Sequence, residues 1–163
     1  MIFILFISFV ILLRLGELVL SNKNEKWLLQ NGAVEYGKKH YPLIVALHIL
    51  FFISLIIEYF NQDVLSFNLN ILITYFILLV FKIWVVSSLG KYWNTKIYHI
   101  KNAPLVKKGI YNYIKHPNYL IVILEIVLIP LVFNLYYTAV IFTILNAIIL
   151  NIRIKEENRV LLI

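Results

Sequence analysis

The sequence predicts an all-α integral membrane protein of about five transmembrane helices, and its hydropathy and the placement of its basic residues carry that prediction. Of its 163 residues, 62% are hydrophobic and 14% charged, with a mean hydropathy of +0.88. A soluble domain of this length leaves roughly a third of its unfolded surface exposed after folding, too much to hide this proportion of apolar side chains from water. A bilayer removes the conflict, because lipid faces the excess. The formal charge of +7 would suit nucleic acid, but its distribution along the chain follows topology instead.

Five apolar stretches are separable: Ile2 to Leu20, Pro42 to Phe60, Leu69 to Leu89, Tyr119 to Phe133 and Leu135 to Asn151. A spanning helix needs about 20 apolar residues, with a range of roughly 17–25, and the first three reach it. The fourth is short and ends near Pro130, and only Asn134 separates it from the fifth. These two are expected to form a tight helical hairpin. The first stretch lacks a basic leader and a small-residue cleavage site after Leu20, so it reads as a helix that stays in the protein.

Lys23, Lys26, Lys38 and Lys39 fall between the first and second spans. Lys91, Lys96, Lys101, Lys107, Lys108 and Lys115 fall between the third and fourth, and Arg153, Lys155 and Arg159 follow the fifth. The segment from Asn61 to Asn68 and the hairpin tip carry no Lys or Arg. The positive-inside rule therefore predicts cytoplasmic loops and C-terminus with the N-terminus outside. The charge is topological and attracts membrane lipids; no nucleic acid and no obligate protein partner are inferred. With no repeat or long linker, residues 1–163 read as one domain, with 1–89 as a three-helix part and 90–163 as the part that carries the motifs. The absence of cysteine excludes disulfides, thiolate nucleophiles and thiolate-held metals.

Several ionisable residues fall inside or near the spans, where such groups are costly and face protein or a polar cavity. Arg14 and Glu17 share a helix face and are expected to pair. Glu58 and Lys82 lie towards span ends and are expected to snorkel to the interface. His48 is expected to be packed or hydrogen-bonded, and Glu125 lies within the fourth span. No His/Asp/Glu grouping has metal-ligand spacing, so no metal is expected.

The chemistry concentrates after the third span. Leu89-Gly90-Lys91-Tyr92-Trp93 is followed by Leu105-Val106-Lys107-Lys108-Gly109-Ile110-Tyr111, then Lys115-His116-Pro117-Asn118-Tyr119, and after the fifth span by Arg153 and the pair Glu156-Glu157. Pro117 suits the first turn of a helix, where its missing N–H would be unpaired anyway. The N–H groups beyond it form an anion-receptive corner. Arg153 and Glu157, spaced i and i+4, project from one face. A short hairpin would bring His116, Tyr119, Arg153 and Glu157 to one surface. Tyr92 and Trp93 fit either an interfacial belt or the edge of a site.

This ordered set resembles the isoprenylcysteine carboxyl methyltransferase family, which belongs with the phospholipid N-methyltransferases among membrane methyltransferases. The resemblance covers Leu89 to Arg159, and the part before the second span resembles short bacterial members. Lys115 stands where the pattern has arginine and Ile110 where many relatives have proline. The resemblance implies a cytoplasmic pocket for S-adenosylmethionine in the bacterial cell membrane. Leu105, Val106 and Tyr111 would line the adenosine region. His116, Pro117, Asn118 and Tyr119 would cradle the methionine part, with Glu157 on a polar group of the cofactor. Arg153 would hold a lipophilic acceptor from the bilayer, and Arg153 and Glu157 would carry the chemistry. O-methylation of a carboxylate or hydroxyl is the expected reaction, such as that of an isoprenylcysteine-like acid or an alkylpyrone. Phospholipid N-methylation, an NADPH-dependent membrane reductase and a non-catalytic scaffold or small transporter are the alternatives.

The cysteine-free background makes the topology directly measurable. An impermeant thiol reagent on intact cells is expected to label Asp63→Cys and spare Lys101→Cys; the reverse pattern would invert the orientation.

Overall fold

The computed structural model describes residues 1–163 except Leu65, Asn102, Pro104, Leu105 and Ile163. Five helices dominate: α1 (Ile2–Gln30), α2 (Tyr41–Phe60), α3 (Leu69–Leu89), α4 (Pro117–Leu131) and α5 (Tyr136–Val160). Among the described residues, α1, α2, α5 and the stretch from Leu69 to Tyr92 are long and apolar enough to cross a membrane. The 15 residues of α4 reach roughly 22 Å, against a hydrocarbon core of about 30 Å. Leu12, Val19, Ile57, Val80, Ile83 and Val140 are among many large apolar side chains left exposed. A bilayer removes such a surface from water.

Local sequence explains where the helices begin and end. Pro42 and Pro117 occupy first-turn positions of α2 and α4, where no N–H is needed. The Asn68 side chain accepts the Ile71 N–H at 3.2 Å and so caps α3. Pro130 ends α4 within a turn. Residues 132–135 then reverse the chain through Asn134 at φ 55°, a left-handed conformation that asparagine tolerates. The turn is anchored to the α2–α3 connection: the Asn68 N–H donates to the Val132 carbonyl at 2.8 Å, and the Asn134 amide to Ser66 Oγ at 2.6 Å. Beside it lies an aromatic core in which Phe3 stacks on Tyr59 at 3.7 Å and meets Phe133 edge-on at 5.1 Å.

Three features depart from the sequence reading. First, α1 does not stop near Leu20 but continues to Gln30, and its last turns bury Ser21 and Asn24. Second, a two-stranded antiparallel sheet, β1 (Ala33–Tyr36) with β2 (Ile97–Ile100), joins the α1–α2 and α3–α4 connections, pairing Ala33 with Ile100 and Tyr36 with Ile97. Strands of four residues are too short to show alternation, and their partners are remote in sequence.

Third, Lys82 and Glu58 do not snorkel. Glu58 accepts the N–H groups of Tyr137 at 3.0 Å and Thr138 at 2.7 Å. It caps α5, whose own flanking residue Leu135 has no acceptor side chain. Lys82 is 7% exposed and closes a ring of four ionic side chains. Arg14 Nη1 meets Glu17 Oε2 at 2.9 Å, Arg14 Nη2 meets Glu125 Oε2 at 2.7 Å, and Lys82 Nζ meets Glu125 Oε1 at 2.7 Å and also Glu17. Two cations balance two anions, each carboxylate oxygen has a partner, and α1, α3 and α4 are tied at one level.

Breaking such a ring leaves a buried charge uncompensated. Lys82→Met is expected to destabilise the folded protein by about 3 kcal/mol, read as a lowered unfolding temperature in detergent. Adding Glu125→Gln to it is expected to recover more than half of the loss, and a single variant as stable as the parent would contradict the ring.

Candidate active site

The site is assembled where α4 begins and α5 ends. The hydroxyl of Tyr119, in the first turn of α4, donates to Glu157 Oε2 and accepts from Arg153 Nε at 2.9 Å. One phenol oxygen thus holds together two residues a turn apart on α5. Arg153 is 9% exposed; its Nη2 donates to the Thr95 carbonyl, and its guanidinium lies over the Tyr119 ring at 5.7 Å. His116 Nε2 donates to Asn158 Oδ1 at 3.0 Å, leaving Nδ1 turned towards Glu157 Oε2 at 3.8 Å. Trp93 Nε1 approaches Asn118 Oδ1 at 3.4 Å.

The segment that carries Trp93 and Thr95 is held by the continuation of α1. Asn24 Nδ2 donates to the Trp93 carbonyl at 2.7 Å, the Asn94 amide to the Ser21 carbonyl at 2.9 Å, and the Thr95 N–H to Ser21 Oγ at 3.1 Å. Further out, Glu25 accepts from Lys96 at 2.9 Å and from the Tyr98 hydroxyl at 2.7 Å. The bond to Glu25 holds the Lys96 ammonium above its ordinary pKa, against the smaller cost of burial. Burial, then the same carboxylate, raises the Tyr98 phenol. Gly109, at φ 56°, lets the 3₁₀ turn Gly109–Asn112 lie on the end of α3, where an added Cβ would run into the Ser88 side chain. Tyr111 follows in that turn. Among the described residues its hydroxyl is buried without a hydrogen-bond partner, and burial followed by the charge of Glu157 raises its pKa.

Two cavities meet at this point. A polar one of about 100 Å³ is bordered by Tyr98, Tyr111, His116, Asn118, Tyr119 and Glu157, among others. An apolar one of about 460 Å³ runs between α1, α2, α4 and α5, past Leu18, Ile44, Phe52, Val122 and Ile149. Trp93, Asn118, Tyr119 and Arg153 border both.

The sequence-predicted site residues separate into three groups. Tyr111, His116, Asn118, Tyr119, Arg153 and Glu157 converge on the polar cavity. Pro117 is buried at the start of α4 and Val106 is half-buried; neither borders that cavity. Leu105 lies outside the described residues. The sequence reading missed Ser21, Asn24, Asn94 and Thr95 as the supports of the site. The one signal for them was small polar residues just after an apolar span, Ser21 and Asn24 after the first and Asn94 and Thr95 after the third.

A helical membrane protein with a polar pocket at the foot of two helices matches one family along its C-terminal part. Residues 70–163 match the isoprenylcysteine carboxyl methyltransferase (ICMT) family. The chain belongs to that family and is, by that membership, a membrane methyltransferase. It is 44% identical over 161 residues to "Uncharacterized protein YpbQ" of Bacillus subtilis, a match covering 98% of this chain and 96% of the other. It is 33% identical over 153 residues to an "Uncharacterized protein" of Haemophilus influenzae, covering 91% and 88%. No solved structure matches the chain.

Proposed function

We propose that this protein transfers a methyl group from S-adenosylmethionine to a carboxylate or hydroxyl oxygen of a lipophilic acceptor that enters sideways from the bilayer. The observation that carries the reading is the pair of cavities, one polar and one apolar, with Trp93, Asn118, Tyr119 and Arg153 as their common wall. A polar donor and an apolar acceptor need chambers of opposite character that meet at the reacting atoms. In this reading the polar chamber opens to the cytoplasm and the α4–α5 pair is a hairpin over it, with the N-terminus outside.

The residues present fit the cofactor. The buried Tyr111 hydroxyl lacks a partner among the described residues, and a ligand in the polar cavity would supply one. Glu157 supplies negative charge for a cationic donor, and His116 and Asn118 offer further polar atoms. At about 100 Å³ the cavity is smaller than the roughly 300–1,000 Å³ of pockets that enclose a drug-sized ligand, so it would hold one end of the cofactor, with the rest along the mouth. When bound, the cofactor supplies a sulfonium methyl group for in-line displacement. Positioning and electrostatics then do most of the catalytic work. Arg153, always charged and fixed by Tyr119 and Thr95, holds the acceptor oxygen. A hydroxyl acceptor must also lose its proton, and Glu157 is the nearby base.

His116→Ala and Glu157→Ala are each expected to weaken S-adenosylmethionine binding by roughly ten- to a hundredfold, the worth of one charge-assisted hydrogen bond, measured by titration calorimetry on folded protein. Unchanged titrations in both would remove the cofactor reading.

Arg153→Lys is expected to keep cofactor affinity within a few-fold and lower kcat/KM for the acceptor by about two orders of magnitude. Cofactor affinity as poor as that of Glu157→Ala would assign Arg153 to the cofactor. Unaffected turnover would favour an uncharged amine and a phospholipid acceptor.

A further inference from the structure

The apolar cavity is not apolar throughout. Besides aliphatic and aromatic side chains it is bordered by Arg14, Glu17, His48, Lys82 and Asn146. Asn146 is 3% exposed and borders this cavity. It lies on α5 seven residues before Arg153, about two turns or about 10 Å along the helix, so the two side chains share a face. A leucine there would complete an apolar wall, whereas the amide offers a donor and an acceptor to whatever fills the cavity.

The other polar groups lie at the same level. The ionic ring ties Arg14 to Glu125, which is six residues beyond Tyr119 on α4, and His48 is seven residues beyond Tyr41 on α2. The ring uses Arg14 Nη1 and Nη2 and is balanced in charge, so it has no charge to offer a ligand. The Arg14 side chain is still 20% exposed, which leaves N–H groups for the cavity. His48 Nδ1 lies 2.8 Å from the Ile44 carbonyl. That oxygen only accepts, so Nδ1 carries the proton and Nε2 of the neutral ring is an acceptor. Donors, an acceptor and the Asn146 amide therefore form a second polar layer, electrically balanced, deeper in the membrane than Arg153.

We infer that this layer selects an acceptor bearing a second, uncharged hydrogen-bonding oxygen, set back from its methylated atom by one to two helical turns, about 5–10 Å. Asn146 is the residue that reads it. A charged group would upset the balance of the ring, and a wholly apolar tail would offer the Asn146 amide no hydrogen bond. The inference rests on the proposed function in assigning this cavity to the methyl acceptor.

The test uses the full-length protein in detergent with a saturated long-chain carboxylic acid and its mono-hydroxy analogues, the hydroxyl moved carbon by carbon along the chain. Binding is measured by thermal shift and calorimetry, and methyl transfer by label from S-adenosylmethionine. Wild-type protein is expected to bind the analogues hydroxylated at the set-back positions roughly three- to tenfold more tightly than the plain acid, the worth of one uncharged hydrogen bond. Asn146→Leu is expected to reduce the best analogue to the affinity of the plain acid. If that variant does not fold, the dependence on hydroxyl position in wild type still decides. Equal binding at every position, no binding of any acid, or a preference that survives Asn146→Leu would overturn the inference. Methyl transfer without positional preference would overturn it and leave the proposed function standing. Positional preference in binding with no transfer would support the layer and count against the function.

Discussion

Four ionised side chains from three helices satisfy one another where water cannot. The ring of Arg14, Glu17, Lys82 and Glu125 sets the relative depth of α1, α3 and α4, because sliding any one by a turn would strand a charge in an apolar surrounding. Non-directional packing of leucine and isoleucine cannot specify depth in a bilayer, where lipid is as good a neighbour as another helix. With those three fixed, the Tyr119 end of α4 has one height. The α5 helix is set against it by the short 132–135 turn and by the bonds from Tyr119 to Arg153 and Glu157.

The same logic of satisfied polar groups shapes the membrane surface. Ser21 and Asn24 bind the backbone of the segment that follows α3, and the β1–β2 pair fastens the two connecting segments edge to edge. Backbone outside helices keeps its hydrogen bonds at the point where a helical bundle would otherwise open. The Thr95 carbonyl is thereby held where Arg153 needs an acceptor. The rigidity of the arginine comes as much from α1, over a hundred residues away in sequence, as from its own helix.

Helix content and order, the short fourth helix and the convergence of Tyr119, His116, Arg153 and Glu157 were legible in the sequence. They rest on local signals: runs of apolar residues, Pro117 at a helix start, and i, i+4 spacing on α5. What was not legible depends on pairings between remote positions. Lys82 reads as a lysine near a span end until Glu17 and Glu125 are seen beside it. Glu58 reads likewise until the exposed N–H groups of α5 are found above it. Asn24 looks like an ordinary residue of a polar loop, and only the continuation of α1 shows that it is buried. Val106 is half-buried and does not border the polar cavity; a motif fixes order along the chain and leaves open which way a side chain faces.

The brevity of α4 has a consequence for the host membrane. At roughly 22 Å it is shorter than a hydrocarbon layer of ordinary thickness, and because the turn beyond it is bonded to Gln62, Ser66 and Asn68 of the α2–α3 connection, the shortfall falls at its Pro117 end. A helix shorter than its bilayer favours local thinning around it. Thinning costs a fraction of a kcal/mol per Å of mismatch, and the cost rises with the length of the acyl chains. Acyl-chain length would therefore bear on the seating of the Pro117 end of α4, and through Tyr119 on Arg153 and Glu157.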